Sequence, residues 1–159
     1  MELGGCMGLS DKDIGRLALL SILHDIGKIA IPQNILLKPG RLDAEEWEIM
    51  KTHTSKGYRI AKASPELEAI AELILHHHEK WDGTGYPSGL KGEEIPLLSR
   101  IITVVDSYDV MVHDRPYHKA ISEAEAREEL MRCAGTQFDP KIVEAYLELL
   151  KKKDTADAT

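Results

Sequence analysis

The chain is short of aromatics, cysteines, basic charge and long apolar runs, and each shortage removes a class of protein. Aromatic residues are only 5% of the 159, with a single Phe, so any core must be aliphatic. The two cysteines, Cys6 and Cys133, stand far apart and outside C-x-x-C spacing. Such usage suits reduced thiols in a cytoplasmic protein rather than a disulfide scaffold. No apolar run approaches the ~18 residues of a membrane span, and no signal-peptide pattern is seen. The net charge of -7 argues against nucleic-acid polymers, which need a concentrated basic surface. It leaves room for a small phosphorylated ligand whose charge a metal neutralises. There is no internal repeat. With 43% hydrophobic and 30% charged residues, one domain with a real core is expected.

Most of the chain carries helical signals. Ser10 with Asp13 forms an N-cap pair, and Ile14, Leu17, Ala18, Ser21 and Ile22 recur at helical spacing. His24 extends the Leu17–Leu20 face and Asp25 follows it, before Gly27 and Pro32 stop the helix with Lys28 in the break. Asp43 with Glu46 opens a second helix, on which His53 shares a face with Ile49 and Met50. Ser64-Pro65 reads as an N-cap followed by proline at the first helical position, with Leu67, Ile70, Ala71 and Ile74 as the apolar stripe. His77 and His78 continue that stripe, whereas His76 turns to another side. Arg100 to Asp109 has β propensity. It has no strand to pair with, so a buried helix is expected, with Asp106 and Asp109 on the face of Ile102. Ser122 with Glu125 caps a further helix ended by Gly135, and Asp139-Pro140 starts the last one. Residues 10–150 make the domain, preceded by a short segment over 1–9 and followed by a polar, frayed tail over 151–159.

Six polar residues thus fall on apolar helical faces: His24, Asp25, His53, His77, His78 and Asp106. Buried unpaired, they would be costly. Together they suit a cluster of two or more metals, with imidazole and carboxylate donors favouring iron, manganese or zinc over calcium or magnesium. Lys28 is either a phosphate contact or a solvated lysine. Arg115, in Asp114-Arg115-Pro116-Tyr117, is either a phosphate fork or a loop ion pair. His113 and His118 read as surface residues.

The pattern His24-Asp25-Ile-Gly-Lys28, His53, His77-His78-Glu79-x-x-Asp82-Gly-x-Gly-Tyr86-Pro87 and Asp106 resembles the HD-GYP domain of the HD metal-dependent phosphohydrolases. The likeness runs from about Leu17 to the Gly135–Pro140 segment. It implies an all-α HD-superfamily helical bundle with a GYP loop, two or three divalent metals (iron or manganese), and phosphodiesterase activity on cyclic di-GMP. Hydrolysis would open the ring to the linear dinucleotide and continue to GMP. The metal ligands would be His24, Asp25, His53, His77, His78 and Asp106, with Asp25 bridging. Asp25 and Lys28 would be the catalytic pair, and Lys28, Tyr86 and Arg115 would contact the dinucleotide. Diguanylate cyclase domains, through the GYP loop, and a second copy of the chain are the implied protein partners.

One departure from the family pattern stands out. Members carry a further metal-binding His upstream of the HD pair, and no His precedes His24 here. Met1-Glu2-Leu3 reads as the stub of that upstream helix. A weakened metal site, a dimer that fills the gap, or an inactive binding module are the three expected consequences.

Overall fold

The computed structural model describes residues 2–114 and 119–157, and among these no strand forms. The helices are α1 (Glu2–Cys6), α2 (Asp11–Leu23), α3 (Gln33–Leu36), α4 (Ala44–Lys51), α5 (His53–Lys62), α6 (Ala71–Leu75), α7 (Leu97–Val112), α8 (Glu123–Cys133) and α9 (Pro140–Asp157). A 3-10 segment, Ile26–Ala30, follows α2, and another, Glu68–Ile70, leads into α6. The all-α expectation holds, and Arg100–Asp109 lies inside α7 as a helix.

Four of the five caps read from sequence are made. Ser10 Oγ accepts the Asp13 N–H at 3.2 Å. Asp43 with Glu46 and Ser122 with Glu125 both close capping boxes. Asp139 Oδ1 takes the Lys141 N–H at 2.9 Å at the start of α9. The core is aliphatic, built on Leu17, Leu20, Ile70, Ile74, Ile101, Val104, Leu130 and Ile142, with the single Phe138 also buried.

Four details differ from the periodicity. Ile22 is 78% exposed, because α2 buries only the Leu17–Leu20 side and ends one residue later at Leu23. The helix expected from Ser64-Pro65 is a turn, a 3-10 segment and then α6. The Ser64 hydroxyl donates to Glu66 Oε2 at 2.7 Å instead of capping a backbone N–H, yet Ile70, Ala71 and Ile74 are buried as the stripe requires. His53 does not continue α4; Thr52 breaks the helix and His53 opens α5, while Ile49 is left 38% exposed. The polar segment from Lys151 stays helical as far as Asp157, and Asp154 pairs with Arg127 of α8.

At the other end, α1 packs on α9 and α2 through the buried Leu3. Glu2 forms an ion pair with Lys153 of α9.

The contact that positions the site is between the Ile26–Ala30 segment and α5. A Cβ placed on Gly27 would lie 1.9 Å from the His53 carbonyl oxygen and 2.5 Å from the Gly57 nitrogen. Gly57 is itself pressed against Ile74 of α6. No side chain can be accommodated between these backbones. Gly27→Ala is therefore expected to destabilise the fold by about 3 kcal/mol or more. Gly15→Ala, in the exposed middle of α2 with nothing within 4 Å of the added methyl, should stabilise by about 0.5–1 kcal/mol. Urea unfolding of the two variants checks both; equal effects would refute the close-approach argument.

Candidate metal centre

Three histidines are aimed by the same local device. His24, which ends α2, sets Nδ1 3.3 Å from the Ser21 carbonyl. His53 at the start of α5 sets Nδ1 2.8 Å from the Met50 carbonyl, and His77 beyond α6 sets Nδ1 2.6 Å from that of Ile74. A carbonyl only accepts, so the ring proton belongs on Nδ1 and the Nε2 lone pair is left free. Each bond spans three residues, so a helical end or turn is enough to build it.

The free Nε2 atoms converge on Asp25. His53 Nε2 lies 3.5 Å and His77 Nε2 3.9 Å from Asp25 Oδ1. His24 Nε2 lies 3.5 Å from Asp25 Oδ2 and 3.8 Å from Asp106 Oδ1 of α7. His78 packs its ring on His77 at 4.1 Å. One donor atom from each of Asp25, His53, His77 and His78 falls within 4.8 Å of the others. Asp25 Oδ1 is buried without a hydrogen-bond partner. An acceptor oxygen ringed by imidazole lone pairs repels its neighbours unless a cation sits among them. The donor set therefore fits a divalent metal.

Protonation agrees with that. Burial pulls His77 down to about 3 and His78 to about 2. His53 is also lowered, mainly by burial. All three are neutral near pH 7, as metal ligands must be. Burial pushes the Asp25 carboxyl up, but the hydrogen bond and charge of Lys28, with His24 and His77, outweigh it and leave it below its usual value. Lys28 Nζ reaches Asp25 Oδ2 at 2.6 Å, on a side chain 38% exposed.

The glycine-rich loop closes one side. Tyr86 N–H donates to the His78 carbonyl at 3.2 Å, and its ring stacks on His78 at 5.0 Å. Burial raises the Tyr86 phenol, which stays protonated. A Cβ on Gly85 would lie 2.3 Å from the Lys80 nitrogen, so this position of the loop admits only glycine. Glu79, almost completely buried, accepts Ser88 N–H at 2.7 Å and Leu90 N–H at 3.1 Å, tying the far arm of the loop to the histidine run.

All six residues expected as ligands are thus brought together, with Lys28 and Tyr86 against them. Arg115 lies outside the described residues, as does His118. His76 faces Glu72 and Glu79, and His113 is exposed beside Asp109. Glu2 is engaged with Lys153 on α9, not with the cluster. Over the cluster opens a cleft of about 310 Å³ whose walls include Trp47, Thr103, Ser107 and Gln137. Sequence reasoning assigned no role to these four, nor the loop-tying role to Glu79. Trp47, alone among the acidic residues of α4, was the one available signal.

Residues 2–142 match the HD domain family model, and the chain belongs to the HD domain family. The His24-Asp25 pair with the loop through Gly83-Thr84-Gly85-Tyr86-Pro87 makes it an HD-GYP domain. It is 49% identical over 148 residues to a cyclic di-GMP phosphodiesterase of Thermotoga maritima, covering 92% of this chain and 40% of that protein. A 3'3'-cGAMP-specific phosphodiesterase 2 of Vibrio cholerae is 43% identical over 89% of this chain and 27% of its own length. In fold, the chain superposes on the crystal structure of a cyclic GMP-AMP specific phosphodiesterase of V. cholerae with a TM-score of 0.70 at 26% identity, covering 94% of this chain and 41% of that one. The chain therefore spans well under half of each of these proteins.

The depressed histidines make metal-free protein acid-sensitive. Their folded pKa values lie below the unfolded value of about 6.5, so on acidification the unfolded chain takes up protons first. Stability should fall as pH drops below about 6.5, by up to about 1.4 kcal/mol per pH unit for each histidine, until the folded-state pKa is reached. Urea unfolding of chelator-treated protein at pH 7 and pH 5 measures this. Equal stability at both would mean that the buried rings are not held neutral.

Proposed function

We propose that this domain is a metal-dependent phosphodiesterase that opens cyclic di-GMP to the linear dinucleotide and continues to GMP. The observation that carries the reading is the buried, unpartnered Asp25 Oδ1 among imidazole Nε2 atoms, next to a cleft lined by His24, His77, His78 and Asp106. Relatives with this domain bear names of cyclic di-GMP or cyclic GMP-AMP phosphodiesterases, which supports a cyclic dinucleotide as the substrate class.

His24, Asp25, His53, His77, His78 and Asp106 would hold two or more divalent metals; the nitrogen and oxygen donors suit iron, manganese or zinc, and the family pattern favours iron or manganese. When bound, they supply Lewis-acid charge for a phosphodiester and make water a nucleophile source at neutral pH. The protein's own part is positional. The Nδ1 bonds to Ser21, Met50 and Ile74 hold three rings in one tautomer. Lys28 fixes the Asp25 carboxylate and sets a positive charge beside the cluster, where it would meet a phosphate oxygen. Tyr86, neutral and stacked on His78, offers a hydroxyl for a hydrogen bond and shields that ring from solvent. Arg115 is assigned to the dinucleotide on the family pattern alone.

Metal content per chain and cyclic di-GMP turnover, measured on the same anaerobically purified sample, test the reading. Wild type should carry two or more metals and form the linear product. Asp25→Asn and His77→Ala should lose metal and reduce turnover by more than about 100-fold. Lys28→Ala should keep metal and lose about 10- to 100-fold in kcat. Full metal content and full turnover in Asp25→Asn would overturn the assignment.

A further inference from the structure

Trp47 is not part of the hydrophobic core. Helix α4 buries none of its residues, and Trp47 is 46% exposed. Yet it lines the same cleft as His77, His78 and Asp106. Its indole meets Tyr86 edge-to-face, with centroids 6.1 Å apart and planes at 81°. Tyr86 in turn stacks on His78 at 5.0 Å. A file of rings therefore leads from the cluster outward, His78 to Tyr86 to Trp47, and only the last is substantially exposed. Lys51, one turn further along α4, holds Nζ 5.9 Å over the Tyr86 ring while paired with Glu48 at 2.7 Å. Thr103, Ser107 and Gln137, which are polar, line the same cleft.

We propose that Trp47 is the stacking platform for a purine base of the dinucleotide, an inference that rests on the phosphodiesterase reading above. A phosphodiester over Asp25 and the histidines carries its nucleoside along the cleft wall. On the Tyr86 side, the indole is the exposed aromatic surface that a base plane can cover. Stacking replaces the water on both faces and needs no particular hydrogen-bonding edge, so it is blind to the identity of the purine. Trp47 thus sets affinity for cyclic dinucleotides as a class. Discrimination between guanine and adenine falls to these polar residues of the same cleft.

The test uses metal-loaded full-length chain with cyclic di-GMP and 3'3'-cyclic GMP-AMP. Trp47→Ala should raise KM about 5- to 150-fold for both ligands, the loss of one base stack, with kcat little changed. Trp47→Phe should recover most of that loss. Metal content should match wild type in both variants. Binding of cyclic di-GMP should quench indole fluorescence in wild type, and the quench should vanish in Trp47→Phe, where Trp81 remains. If wild type turns over cyclic di-GMP but Trp47→Ala keeps its KM and no quench occurs, the stacking role is refuted while the phosphodiesterase reading survives. If wild type neither binds nor hydrolyses either dinucleotide, both fall. Should Trp47→Ala fail to fold, the phenylalanine variant and the wild-type quench decide the question.

Discussion

Between Gly27 and the first turns of α5 there is no room for a methyl group, and that contact sets where Asp25 stands. Asp25 precedes the 3-10 segment and His53 opens α5, so two backbones touching at Gly27 place carboxylate and imidazole 3.5 Å apart. Gly57 extends the contact to Ile74, which precedes His77 by three residues. One steric constraint therefore ties three pieces of chain, far apart in sequence, into a single cluster. Its precision comes from backbone against backbone, which has no rotamers to relax.

The cluster formed this way is electrostatically costly for an apoprotein. Burial keeps His53, His77 and His78 neutral, and the lone pairs they turn inward face an unpartnered carboxylate oxygen. Among the described residues, Lys28 offsets part of that by bonding the other oxygen of Asp25. A fold that holds acceptors against acceptors is arranged for an occupant that brings positive charge. The carbonyl bonds to Nδ1 of His24, His53 and His77 keep those three rings from turning away when the occupant is absent. The loop is fixed with comparable care, since Glu79 binds its far arm while Gly85 presses on the Glu79–Lys80 backbone.

Much of this was legible in the residues themselves. His24, His77 and His78 could be placed on buried faces because each continues an apolar stripe at three- and four-residue spacing. The β-branched run from Ile101 to Val105 read as helix because it lacked a partner strand, and α7 bears that out. Elsewhere the same reasoning stopped short. Ile22 fits the periodicity of α2 but ends up in solvent, because which flank of a stripe is covered depends on what packs there. Ser64-Pro65 carries a helix-start signal, but the Ser64 hydroxyl found Glu66 instead. Trp47 and Gln137 line the same cleft yet stand 90 positions apart, so no local pattern could connect them.

The sequence by itself determined the all-helical architecture, the HD-GYP resemblance and six candidate donor residues, because helical period, caps and ligand chemistry are local properties. Tertiary structure alone decided that donor atoms of Asp25, His53, His77 and His78 converge within 4.8 Å of one another, with His24 and Asp106 beside them. It also decided which ring nitrogen faces inward, that Asp25 Oδ1 lacks a partner, and that Trp47 stands over the cleft. Each of these depends on distances between segments remote in the chain, and such distances are set by packing, above all by the glycine contact that no local signal encodes.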